Sequence, residues 1–287
     1  MTWTQVAFVA LLVSALAAGW YKYSISSKPW PKALELYLWI TPILNFTAFR
    51  LVGDRAGLRG LVPVAIVHLA VIAWALRAVY VRTPGHFHAR LAGCLLIFGA
   101  AVVWLGAISY VGMSLPAVAA HRADHLFCVG GFLIGGLLSL GGFVALCIVL
   151  RERGDALLSQ LGLVALVIAT VGWIFHLAFR ATVMLEVAQA SAATPPEWYQ
   201  SFRLWAGAMY AAYMILAYLS IAPFGAAMQK TGWAGKGWGR TFVAFGLISA
   251  TGFVARLGFP DVPLAVQFMP YAMGMILLRR ATVRASS

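Results

Sequence analysis

Carboxylates are scarce in this chain. Glu35, Asp54, Asp124, Glu152, Asp155, Glu186, Glu197 and Asp261 are the only acids in 287 residues, and charged residues of all kinds make up 10%. Soluble domains carry roughly 25% charged residues, so this chain has too few to coat a surface in water. All eight acids fall at or near the ends of apolar runs. No acid stands at an obvious bilayer midplane, where ion-coupled carriers often place one, and this argues against that class. Cysteine is scarce too: Cys94, Cys128 and Cys147 each lie inside an apolar run. Neither a loop disulfide nor a CxxC redox or metal pair is available, and the three read as core packing. The period-two alternation of a membrane β-barrel is missing. No Lys or Arg precedes the first apolar run. Ala15-Leu16-Ala17 therefore reads as part of an uncleaved first helix and not as a signal-peptide cleavage site.

What the chain has in abundance is hydrophobic sequence, 62% of it. Apolar runs long enough to span a bilayer lie near 3–21, 34–53, 60–82, 91–112, 126–150, 157–183, 203–226, 240–258 and 262–279. A spanning helix needs about 20 residues, so these runs leave only short loops and tails. The expected fold is all-α: a polytopic transmembrane helix bundle of nine spans forming one domain, residues 1–287.

Net charge is +13, but the cations are dispersed over many loops, which suits membrane orientation better than nucleic-acid binding. One alternate set of loops, with the C-terminal tail, holds 14 Lys and Arg, and the other holds 7. The positive-inside rule then puts the N-terminus outside and the C-terminus in the cytoplasm of a prokaryotic inner membrane.

The fifth run carries Gly130, Gly131, Gly135, Gly136, Gly141 and Gly142. Gly131 and Gly135 form GxxxG, which lets backbones approach closely. This helix is expected at the centre of the bundle, or at a contact with a second copy or another subunit. A three-span repeat is a further expectation. Ile66-Val67-His68-Leu69-Ala70 matches Ile174-Phe175-His176-Leu177-Ala178, and Val62-Pro63-Val64-Ala65 matches Val262-Pro263-Leu264-Ala265.

An imidazole in hydrocarbon is costly unless bonded or ligated. His68 lies midway along the third span and His176 in the middle-to-outer part of the sixth. They are either the axial ligands of one haem b or two histidines bonded to nearby backbone or hydroxyl groups. His121 and His125 open the fifth helix four residues apart, a two-His spacing for a divalent metal, with Glu186 to complete it. The competing reading is a solvated helix start in which Asp124 complements the helix dipole.

All five lysines fall in the cytoplasmic set, whereas all seven outer cations are arginine. Arg50, Arg180 and Arg256 are embedded near the outer ends of apolar helices, and Arg203 opens the seventh. Arginine's planar fork takes carboxylate or phosphate bidentately, so haem propionates, an anionic substrate or a lipid headgroup would each suit. Snorkelling to headgroups is the alternative. Most Trp residues lie near span ends as an interfacial belt, whereas Trp104, Trp173, Tyr210, Tyr213 and Tyr218 lie deeper and are candidates to line a pocket.

The string Gly85-His86-Phe87-His88, followed by Leu91 and Gly93, resembles the helix opening HxHxxLxG of haem–copper oxidoreductases and related membrane haem proteins. Trp20-Tyr21 with Lys28-Pro29-Trp30-Pro31 resembles a fragment of the tryptophan-rich sensory proteins that bind porphyrins. These resemblances imply haem contact at His86 and His88 and porphyrin affinity.

The leading functional expectation is a haem- or metal-binding redox protein of the bilayer, exchanging electrons with a quinone at an outer-leaflet arginine site. The alternatives are a transporter or channel for an anionic or amphipathic small molecule, and a non-catalytic membrane subunit or assembly factor.

Overall fold

The computed structural model describes residues 66–77 apart from 68 and 75, residues 86–255 apart from 192, and residues 266–284. Among the described residues the chain is helical and holds no strand. The main elements are α1 (Phe87–Ile108), α2 (Leu115–Ala120), α3 (Arg122–Arg151), α4 (Leu157–Phe179), a π-turn (Arg180–Met184), α5 (Leu185–Ser191), α6 (Glu197–Lys230), α7 (Lys236–Val254) and α8 (Phe268–Arg284). Within the described residues, each apolar run from 91 onward overlaps one of these helices. Four helices, Phe87–Ala107, Arg122–Arg151, Leu157–Ala190 and Glu197–Lys230, are long and apolar enough to cross a membrane. The count of nine spans includes runs before residue 66, which lie outside the described residues.

Local sequence punctuates these helices. Pro116 sits in the first turn of α2, where its missing N–H costs nothing. Pro196 precedes the first residue of α6. Gly154 and Gly232 take positive φ of 87° and 74° in the tight turns after α3 and α6, a backbone region glycine enters without a steric penalty.

The helices form two groups. In one, α1 packs along α3 on one side and along α8 on the other; in the second, α6 packs along both α4 and α7. The groups meet where α3 touches α4, over a smaller area. Glycine sets the α1–α3 contact. A Cβ on Gly131 would lie 2.6 Å from the Cα of Gly106, and one on Gly135 would lie 2.6 Å from the Gly99 carbonyl oxygen. The GxxxG pair is thus occupied inside the chain, with backbone directly on backbone. Gly130, by contrast, has nothing within 4 Å of an added Cβ.

Successive long helices alternate in direction, which separates two ends of the bundle. At one end the start of α1 meets the end of α3 through His88 Nδ1 and Glu152 Oε1, 2.8 Å apart. There the start of α4 also meets the end of α6, where Lys230 Nζ donates to Asp155 Oδ1 at 3.2 Å. Asp155 is fully buried and also caps α4, accepting from the Ser159 N–H through Oδ2 at 3.0 Å. The opposite end is closed by a small second core of Leu115, Val118, Phe179, Met184, Leu185 and Tyr199 with their neighbours. This core joins α2, the π-turn, α5 and the start of α6.

Candidate functional site

Trp173, His176 and Arg180 follow one another along α4 at spacings of three and four, so they share one helix face. That face is buried, which carries Arg180 into the protein at 2% exposure. The helix then changes pitch: Arg180 to Met184 form a π-turn. Such turns loosen the backbone ladder and recur at functional sites. Here the Arg180 carbonyl accepts a hydrogen bond from His125 Nε2 on α3 at 3.0 Å.

His125 is fully buried, and its Nδ1 has no hydrogen-bond partner among the described residues. The guanidinium shows the same pattern. Arg180 Nε and Nη2 are buried and lack partners among the described residues. Its Cζ lies 5.5 Å from the centroid of the Tyr110 ring, a cation–π contact. The Arg180 side chain also meets the Cys128 thiol, and its charge acts on His125 and His176. A cation buried with unmet donors is among the costlier features a fold can retain. The unmet pair is chemically specific as well. Nε–H and the neighbouring Nη2–H form one edge of the guanidinium, the fork that grips two oxygens of a carboxylate or phosphate.

One turn deeper, the His176 ring lies against aromatic neighbours. Its Nδ1 meets the Ala206 carbonyl of α6 at 3.1 Å. Trp173 stacks on it at 5.6 Å with 13° between planes, and Tyr210 lies 5.0 Å away. Trp173 also stacks on Tyr213 at 4.5 Å and donates its indole N–H to the Phe132 carbonyl at 3.4 Å. Below Trp173 the seam between the helix groups opens into a cavity of about 30 Å³, whose walls include Ser139, Thr170, Trp173, Tyr213, Ser220 and Gln267. A water needs roughly 10–15 Å³ of such space, so about two fit. Ser139 Oγ donates to Gln267 Oε1 at 3.2 Å, and the Tyr213 hydroxyl meets the same amide.

The expected site residues therefore divide. Arg180 and His125 meet at the α3–α4 seam, whereas the His176 ring faces α6. Arg203 and Glu186 are exposed on α6 and α5. His121 is the junction between α2 and α3, with φ −130° and ψ 47°, and its Nδ1 lies 3.8 Å from Asp124 Oδ2. His125 is buried against Arg180, so the solvated helix start expected for this residue is replaced by an interior contact. Among the described residues no group of three or more His, Cys, Asp or Glu is placed to hold a metal ion. His68, Arg50 and Arg256 lie outside the described residues, as does the three-span repeat in large part.

His86 and His88 are occupied elsewhere. His86 presents a ring edge to Trp233 at 6.0 Å, and His88 pairs with Glu152. Trp173 and Tyr213 line the cavity as expected, whereas Trp104 packs into the α1–α8 contact against Tyr271 and Phe268. Tyr110, Cys128, Ser139 and Gln267 were not expected at a site. The helical spacing of His125, Cys128 and Phe132 on α3, opposite Trp173 and Arg180 at the end of α4, is the signal that joins them. Comparison with known proteins finds no relative: no protein-family model, no curated protein and no solved structure matches the chain.

Proposed function

We propose that the protein is a multi-pass membrane transporter or channel for an anionic small molecule, with Arg180 as the group that recognises the charge. The observation that carries this reading is the buried guanidinium whose Nε and Nη2 have no partner among the described residues. An anion arriving at that fork would complete its hydrogen bonds and neutralise its charge together. The π-turn beneath it and the cavity beyond Trp173 support a path along the α3–α4 seam. Nine spans, an outer N-terminus, a cytoplasmic C-terminus and a prokaryotic inner membrane belong to the same proposal. Their support is the cation asymmetry and the alternation of the described helices. Flux assays on full-length protein in liposomes test it. Anion efflux should exceed that of empty liposomes and fall at least about tenfold in Arg180→Gln, the scale of one lost charged hydrogen bond. Flux indifferent to Arg180 would overturn the reading.

A second reading, a haem-bearing electron carrier, is favoured by one observation. The Ala206 carbonyl can only accept, so His176 Nδ1 carries the proton and Nε2 keeps its lone pair. That is the tautomer histidine ligands use, with Nδ1–H tied to a carbonyl. Haem b would then sit between His176 and His68, and a quinone would be its redox partner. A Soret band that is lost in His176→Ala supports this reading, and protein free of Soret absorption after expression with ample haem refutes it.

A further inference from the structure

The two buried edges at Arg180 ask for different things from a ligand. The fork offers two N–H donors and calls for two acceptor oxygens. The imidazole is seated on the carbonyl of the same residue. A carbonyl only accepts, so His125 Nε2 carries the proton, and in the neutral ring Nδ1 is an acceptor. That acceptor is buried and unmet. An anion with acceptor oxygens alone, such as acetate or nitrate, would satisfy the fork and leave Nδ1 orphaned.

We infer that the ligand is an oxyanion with a hydrogen-bond donor of its own: bicarbonate, a monoprotonated phosphate or a 2-hydroxycarboxylate. Two oxygens engage Arg180 Nε and Nη2, and an O–H reaches His125 Nδ1. This rests on the anion-recognition reading of Arg180 and sharpens it to a ligand class. The face of the Tyr110 ring covers the guanidinium at 5.5 Å. The ring supplies no acceptor oxygen, so the cation–π contact does not satisfy the fork. Cys128, whose thiol meets the Arg180 side chain, is only a weak donor.

The test is a matched series on the full-length protein in nanodiscs of zwitterionic lipid, read by tryptophan fluorescence and titration calorimetry. Acetate is compared with glycolate, which adds one hydroxyl, and nitrate with bicarbonate. The donor-bearing member of each pair should bind about tenfold more tightly, since a buried acceptor left unmet forfeits one hydrogen bond. The preference should collapse in His125→Phe and survive in His125→Gln, whose amide keeps a donor and an acceptor. All four anions should fail to bind Arg180→Gln. Equal affinities within each pair, still dependent on Arg180, overturn the donor requirement and leave the anion site standing. No binding by any of the four overturns both. A preference that persists in folded His125→Phe assigns the donor to another group and also overturns the inference.

Discussion

The two ends of α4 treat a buried charge in opposite ways. At the start, Asp155 is sealed from solvent and fully engaged: one oxygen accepts from Lys230, the other from the Ser159 N–H. At the end, Arg180 is equally buried, yet two of its nitrogens are unmet among the described residues. The same helix therefore carries a structural charge and an unfinished one. On the proposed reading the first charge is kept for stability and the second for a ligand. The Tyr110 ring and the Cys128 thiol touch the Arg180 side chain and His125 bonds its backbone carbonyl, yet Nε and Nη2 stay unmet among the described residues.

Replacing each charge in turn should separate the two ends by sign. Arg180→Met should stabilise the ligand-free protein by about 1–4 kcal/mol, as apolar replacements of buried charges do. Denaturant unfolding in detergent measures it, and a destabilised Arg180→Met would erase the contrast. Asp155→Ala should do the reverse, losing a helix cap and a buried acceptor at a cost of about 1–2 kcal/mol. Lys230→Ala isolates the ion-pair share of that loss. Its side chain is 59% exposed, so water can take the place of the ammonium at Asp155 Oδ1, and the effect should stay below about 1 kcal/mol and shrink in high salt. Least of all, Glu152→Gln should change stability by under about 0.5 kcal/mol, because His88 and Glu152 are both about half exposed to solvent.

How far the sequence could be read depends on the range of the interaction involved. Span-length apolar runs are a local signal, and the runs at 91–112, 126–150, 157–183 and 203–226 became α1, α3, α4 with its π-turn, and α6. Arg180 was legible too, because an arginine inside an apolar run is conspicuous whatever surrounds it. Its partner was harder to find. The four-residue spacing of His121 and His125 suggested a shared outer face, but that requires His121 to be helical, and the helix begins one residue later. His125 turns inward to a carbonyl 55 residues away, which no local spacing encodes. Ser139 and Gln267 are further apart still, and both look unremarkable in their own segments. The glycines of the fifth run announced close packing, but Gly99 and Gly106, which receive them, carry no comparable signature.

The apolar length of α4 bears on how the site is made during biosynthesis. Leu157–Phe179 places a predominantly apolar stretch, broken only by Ser159, Gln160, Thr170 and His176, ahead of Arg180. On insertion scales an arginine costs roughly 2.5–3.5 kcal/mol at the centre of a span and less toward its end, and each Leu, Ile, Phe or Val returns about 0.3–0.6. The segment can therefore enter the bilayer with its arginine in place and no neighbour present. The proposed recognition site forms only afterwards, when α3 docks and His125 reaches the π-turn. A variant can on this account insert with correct topology, pass every test of membrane integration, and still lack the site.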